Sequence, residues 1–166
     1  MKRRPVEERK PKICFAVIVK YIIMSIVFSF IIYGVDVTVL GAIDKSPIAQ
    51  VGNSYITLYE VHNTGAAFNL FAGQQDAIIV ASFLAVAALA FSVLVFSTRL
   101  TQSAISAISF LSAGITMNML SRIEFGFVID YVSINNSNFP VFNTADIMIV
   151  VGAIGLILSL FTFNER

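Results

Sequence analysis

Two aspartates sixteen residues apart, Asp130 and Asp146, are the pair in this 166-residue chain best suited to chemistry. Brought together where water is scarce, two carboxylates cannot both ionise cheaply, so one keeps its proton and the other stays a base. An aspartic-type hydrolase works this way: the ionised carboxylate takes a proton from water while the protonated partner polarises the scissile carbonyl. Asp146 opens an apolar run that reads as a helix, and the positive end of that helix dipole favours it as the anion, leaving Asp130 as the acid. Taken singly, each has an ordinary reading. Asp146 in Thr144-Ala145-Asp146 could be a helix cap, and Asp130 a solvated loop residue. Chemistry is favoured by their company, because Asp36, Asn118, Arg122 and Asn143 fall at the same end of the topology drawn below. Asn118 and Arg122, four residues apart, share one helix face.

The elements that position these groups are apolar. Hydrophobic residues make up 57% of the chain and charged ones 13%, with mean hydropathy +0.85, which excludes an ordinary soluble domain. A net charge of +1 gives no basis for nucleic-acid binding. One cysteine, Cys14, cannot form an internal disulfide, and with one histidine, His62, it is too poor a set for a zinc site. Four stretches are apolar enough to cross a bilayer: residues 13–35, interrupted only by Lys20, whose stem can snorkel; Ala77–Thr98; Leu100–Ser121, with Arg99 alone as the turn before it; and Ile147–Asn164. Residues 1–12, MKRRPVEERKPK, hold six of the eleven cations and form a basic cytoplasmic tail by the positive-inside rule. A cleaved signal peptide is the competing reading, but the apolar run is long and has no Ala-x-Ala exit. The expected fold is an all-α membrane protein, four transmembrane helices making one domain over 13–164. A small external β element lies between helices 1 and 2, within about 44–76, and an external loop spans about 122–146. Within the first connection, Ser54–His62 has strand composition, bounded by Gly52-Asn53 and Asn63-Thr64-Gly65. Both termini then lie inside, and every costly polar residue except Lys20 collects at the outer side.

Four motifs occur in order along this frame: His62-Asn63-Thr64-Gly65-Ala66-Ala67-Phe68, Gly114-x-x-x-Asn118-x-x-x-Arg122, Gly126-Phe127-Val128-Ile129-Asp130-Tyr131 and Phe142-Asn143-Thr144-Ala145-Asp146. Together they resemble lipoprotein signal peptidase, or signal peptidase II, from about Asp36 to the end of the fourth span. The resemblance implies an aspartic endopeptidase of the bacterial cytoplasmic membrane, working at the outer face. It would remove signal peptides from diacylglyceryl-modified prolipoproteins, cutting before the lipidated cysteine. It also implies Asp130 and Asp146 as the catalytic pair. Asn63, Gly65, Asn118, Arg122 and Asn143 are implied as residues that bind substrate or support the site, and Asp36 as the acid of the first-span motif. No metal and no cofactor are expected, and the partners are the prolipoprotein substrates and membrane lipids, with the protein a monomer.

Two departures from the family pattern stand out. Where the family has Asn-x-x-Asp-Arg, this chain reads Asn118-Met119-Leu120-Ser121-Arg122, and where the first-span motif has Asp-Gln-x-Ser/Thr-Lys it reads Asp36-Val37-Thr38-Val39-Leu40. Ser121 leaves Arg122 without its usual acid, which keeps open an inactive or altered-specificity relative that binds lipoproteins. A small proton-coupled four-span transporter is a further alternative, although it would want an acid at the bilayer midplane. Ser133–Asn138, SINNSN, reads as a connector, His62 as ordinary structure at a strand end, and Gly114, Gly152 and Gly155 as places of close helix approach.

Overall fold

The structure is a computed structural model that describes residues 13–45, 51–52, 54–65, 71, 73–135 and 137–163. The basic tail 1–12 and residues Ala66, Ala67 and Phe68 of the first motif lie outside the described residues. In chain order the elements are helix α1 (Phe15–Asp44), strands β1 (Val51–Gly52) and β2 (Ile56–Asn63), helices α2 (Gln75–Phe96) and α3 (Gln102–Phe125), strand β3 (Val128–Ile134) and helix α4 (Thr144–Phe163).

Three helices, α1, α2 and α3, are long and apolar enough to cross a membrane. Their outward surfaces expose Ile26, Phe30, Phe83 and Phe91, which water would not tolerate as a continuous coat. The continuous apolar stretch of α4, Thr144–Ser159, is shorter. Helix α3 is the central post, packed against α4, α1 and α2. At one end Tyr21, Val93, Ile105 and Ile108 join α1, α2 and α3; nearer the aspartates Ile32, Ala113 and Ala145 join α1, α3 and α4. Helices α3 and α4 come close because two glycines leave room. A Cβ at Gly114 would lie 2.5 Å from the Ala145 carbonyl oxygen, and one at Gly152 would lie 2.7 Å from the Leu111 nitrogen. Lys20 donates to Gln102 Oε1 (2.5 Å), so its ammonium is held at the start of α3.

Several boundaries differ from the sequence expectation. Helix α1 runs well past 35, because residues 37–43, VTVLGAI, hold no charge and no proline, and the single Gly41 is carried by the apolar residues around it. Asp36 therefore sits inside α1, about two turns before its end. The α2–α3 turn takes residues 97–101, five instead of Arg99 alone, because Thr101 caps α3 by accepting from the Ala104 N–H (3.2 Å). The β element is not confined to the first connection. The sheet has order β1-β2-β3, antiparallel throughout, and its third strand comes from the connection that was expected to be a loop. The sequence VIDYVSI over Val128–Ile134 explains this: four β-branched residues and a tyrosine alternate along it, and β2 offers an unpaired edge. Ser133 and Ile134, expected in a connector, belong to this strand.

Candidate active site

Gly126 ends α3 with φ of 81°, a left-handed conformation that glycine takes without strain, and its N–H returns to the Arg122 carbonyl (3.0 Å). The chain therefore reverses at once into β3. In the β2–β3 register Asp130 faces Val61 and Val128 faces Asn63, so Asp130 and Asn63 are diagonal neighbours on one face of the sheet. Asn63 Nδ2 donates to Asp130 Oδ2 (2.9 Å), while Asn63 Oδ1 accepts from the Gly65 N–H (2.9 Å).

Asp146 arrives from α4. Asn143 is the residue before the helix, and the two cap each other: Asn143 Oδ1 accepts from the Asp146 N–H (3.0 Å), and Asp146 Oδ2 accepts from the Asn143 N–H (3.1 Å). The capping role foreseen for Asp146 is thus real, and it leaves Asp146 Oδ1 to accept from Asn118 Nδ2 (2.8 Å). Asn143 also donates through Nδ2 to Asp130 Oδ1 (3.0 Å) and to Asn118 Oδ1 (3.0 Å). One asparagine therefore touches both aspartates. Each carboxylate oxygen of the pair accepts one protein hydrogen bond and keeps a lone pair for a further donor.

Arg122 lies behind this ring of amides. Its Nη2 donates to the Gly65 carbonyl (2.6 Å) and its Nη1 to the Asn118 carbonyl (3.0 Å), while its buried Nε has no partner. The arginine that lacks a neighbouring acid in sequence is held by two backbone carbonyls instead. It fixes Gly65, Gly65 fixes Asn63, and Asn63 fixes Asp130.

Asp130 is 2% exposed. Burial, opposed by the Asn63 hydrogen bond and reinforced by the Asp146 charge, pushes its carboxyl up from the ordinary 3.8 to about 7. A carboxyl so placed holds its proton through the mildly acid range and gives it up around neutral pH. The pair opens onto a cleft of about 410 Å³ walled by Ile78, Ile115, Ile149 and Val150, with Ser82 of α2 at its side and Phe139–Phe142 at its rim. A polar head on an apolar trough suits a ligand that carries both a peptide bond and hydrocarbon.

Asn63, Asn118, Arg122, Asp130 and Asp146 line this cleft, and Asn143 and Gly65 bond to residues that do. Asp36 is placed elsewhere. It lies on the opposite side of the sheet, accepting from the Tyr131 hydroxyl (2.5 Å). Burial first, and then the hydrogen bond to Asp36, raises the Tyr131 phenol above its usual range. His62 projects away from the aspartates, pairing with Glu60 (2.6 Å) and stacking on Phe127 with ring centres 3.9 Å apart. The rim Phe139–Phe142, the buried Tyr131 and the half-buried Thr144 carry no role in the sequence reading. The aromatic Phe142 directly before Asn143 and the tyrosine directly after Asp130 were the available signals. Among the described residues, no three His, Cys, Asp or Glu side chains converge as a metal cage would require.

Comparison with known proteins gives a concordant picture. A lipoprotein signal peptidase of Dehalococcoides mccartyi is 34% identical over 117 residues, covering 68% of this chain and 71% of the relative. One from Microcystis aeruginosa is 37% identical over 107 residues, covering 64% and 68%. A solved bacterial membrane enzyme superposes with TM-score 0.76 at 22% identity, over 95% of this chain and 97% of the other, and so shares the fold. The sequence model described as signal peptidase (SPase) II matches residues 17–162, nearly the whole apolar region. This chain belongs to the signal peptidase II family.

Proposed function

We propose that the protein is an aspartic endopeptidase of the bacterial cytoplasmic membrane that removes signal peptides from diacylglyceryl-modified prolipoproteins, cutting before the lipidated cysteine. The observation that carries this reading is Asn143, which holds both carboxylates at the head of an apolar cleft. In the proposed reaction Asp146 takes a proton from water as the oxygen attacks the scissile carbonyl carbon, and Asp130 gives its proton to the carbonyl oxygen. Collapse of the resulting gem-diol returns one hydroxyl proton to Asp130 as the C–N bond breaks. The proton on Asp146 goes to the leaving amine, which restores both groups. The donors on Asp130 and Asp146 hold the carboxyl planes during these transfers, and Arg122 holds the segment at Gly65 against them.

In this reading α4 is a fourth crossing. Its 20 residues reach about 30 Å at a rise of about 1.5 Å each, the thickness of the hydrocarbon core. Both termini then face the cytoplasm, the aspartates and the sheet lie at the outer face, and the membrane domain spans 13–164. The substrate's acyl chains occupy the apolar wall of the cleft, and the protein acts as a monomer.

The test is incubation of the detergent-purified protein with a diacylglyceryl-modified prolipopeptide. Cleavage by wild type and its loss by about a thousandfold in folded Asp130→Asn and Asp146→Asn are the expected results. Silent wild type together with an active Ser121→Asp variant would mean an inactive relative. Inhibition by metal chelators would count against a carboxylate-only mechanism.

A further inference from the structure

Tyr131, next to Asp130 on β3, turns its side chain to the other face of the sheet, where it is 2% exposed. Its hydroxyl serves three groups. It donates to Asp36 Oδ1 on α1 (2.5 Å), meets the Thr144 hydroxyl, and accepts from the Thr144 N–H (3.2 Å) at the first turn of α4. A phenol has one proton and two lone pairs, so with Thr144 giving its hydroxyl proton every position on the Tyr131 oxygen is filled. Asp36 has no cationic partner: among the described residues the only ion pair is His62 with Glu60, and the residue one turn beyond Asp36 is Leu40.

Resting on the peptidase reading above, we propose that Asp36, Tyr131 and Thr144 form a positioning clamp that sets the distance between Asp130 and Asp146. The neighbours in sequence make the case. Tyr131 follows Asp130, and Thr144 lies two residues before Asp146, so the Tyr131–Thr144 contact and the Asn143–Asp130 contact tie the same strand to the same helix start from opposite faces of the sheet. Backbone bonds from Tyr131 N and Val132 N to the Phe142 carbonyl (3.1 and 2.8 Å) join the strand to the same segment just before it reaches Asn143. Asn118 already ties the junction to α3 and Asn63 ties it to β2. Through Asp36 the clamp adds a polar tie to α1, beside the apolar contact of Ile32 with Ala145. None of the three residues lines the cleft, so their effect on the reaction passes through Asp130 and Asp146.

The test uses the full chain in detergent with Tyr131→Phe, Asp36→Leu, Asp36→Asn and Thr144→Val. Tyr131→Phe and Asp36→Leu should each lower kcat about tenfold to a hundredfold, the scale of a misplacement near 1 Å, with KM changed less than about twofold. Asp36→Asn, which keeps an acceptor for the phenol, should retain more activity than Asp36→Leu. The double variant Tyr131→Phe with Asp36→Leu should be no slower than the worse single one, since both break the same link. A second readout needs no substrate: infrared titration of the Asp130 carboxyl band, assigned by its disappearance in Asp130→Asn. Asp130 is faced by Asn63 of β2, Arg122 of α3, and Asn143 and Asp146 at the start of α4. Slackening the clamp lets Asp146 recede, weakens its repulsion and moves the Asp130 midpoint to lower pH. Should Tyr131→Phe fail to fold, Thr144→Val and Asp36→Leu carry the same expectations. Wild-type kcat and an unmoved Asp130 midpoint in the folded variants would overturn the clamp, as would a loss confined to KM or multiplying losses in the double variant. A wild type that cleaves nothing while the Asp130 midpoint still shifts would overturn the peptidase reading and leave the clamp standing.

Discussion

Replacing Asn63 with alanine should move the alkaline limb of the rate profile upward. Asn63 donates to Asp130 Oδ2 at 2.9 Å, and it is the strongest of the groups that hold this carboxyl's pKa down against burial. A hydrogen bond to a charged acceptor contributes about 1.5–3 kcal/mol. At about 1.36 kcal/mol per pH unit, complete loss would be about one to two units. The amide borders the cleft, so water entering its place recovers part of this, and a rise of about one unit above the starting value of about 7 is expected. In the proposed mechanism Asp130 acts while protonated, so a higher pKa carries the falling limb of activity to higher pH. The plateau rate falls at the same time, because the Gly65 N–H loses its acceptor and the segment held by Arg122 loosens. The assay is kcat/KM for a diacylglyceryl-modified prolipopeptide across the acid and neutral range, wild type beside Asn63→Ala. An alkaline limb that stays in place or moves to lower pH would refute the assignment of Asp130 as the acid.

Other outcomes follow from the same geometry. Asp130 binds its proton more tightly folded than unfolded, so between about pH 4 and about pH 7 the native state holds the extra proton and stability falls as pH rises. Thermal melts of wild type should show this decline, and Asp130→Asn should flatten it. Gly114→Ala would drive a methyl to within 2.5 Å of the Ala145 carbonyl oxygen, so a loss of about 1–3 kcal/mol in denaturant titration is expected together with slower cleavage, since the residue displaced adjoins Asp146. Thr101→Ala removes the cap at the far end of α3 and should cost about 1 kcal/mol in the same titration while leaving kcat unchanged.

The apolar helices were legible because long uncharged runs admit few other interpretations, and the polar cluster because each of its members would be costly anywhere else. The sheet was half legible. Val128–Ile134 carries as clear a strand composition as Ser54–His62, but pairing between segments more than sixty residues apart leaves no local signature, so the sequence alone leaves β3 inside a loop. Asp36 shows the complementary failure. Span topology puts it at the same end of α1 as the aspartates, yet whether an acid at that level enters the cleft or lies behind a sheet depends on the strand alternation of Tyr131, which only the β2–β3 pairing defines. In the sequence Asn143 is one polar residue among several at its level. Its double contact required the reciprocal cap with Asp146, a pattern usually carried by serine or threonine with glutamate.

The sheet draws β1 and β2 from the connection after α1 and β3 from the connection after α3. During synthesis, therefore, Asn63 and Gly65 emerge early and wait for a partner strand that is made about sixty residues later, and Asp146 follows only with the last helix. A ribosome-bound chain halted before Thr144 already holds the whole sheet yet lacks half of the acid pair. On the proposed mechanism, proteolytic competence therefore waits until α4 has been made and Asn143 can join the two aspartates.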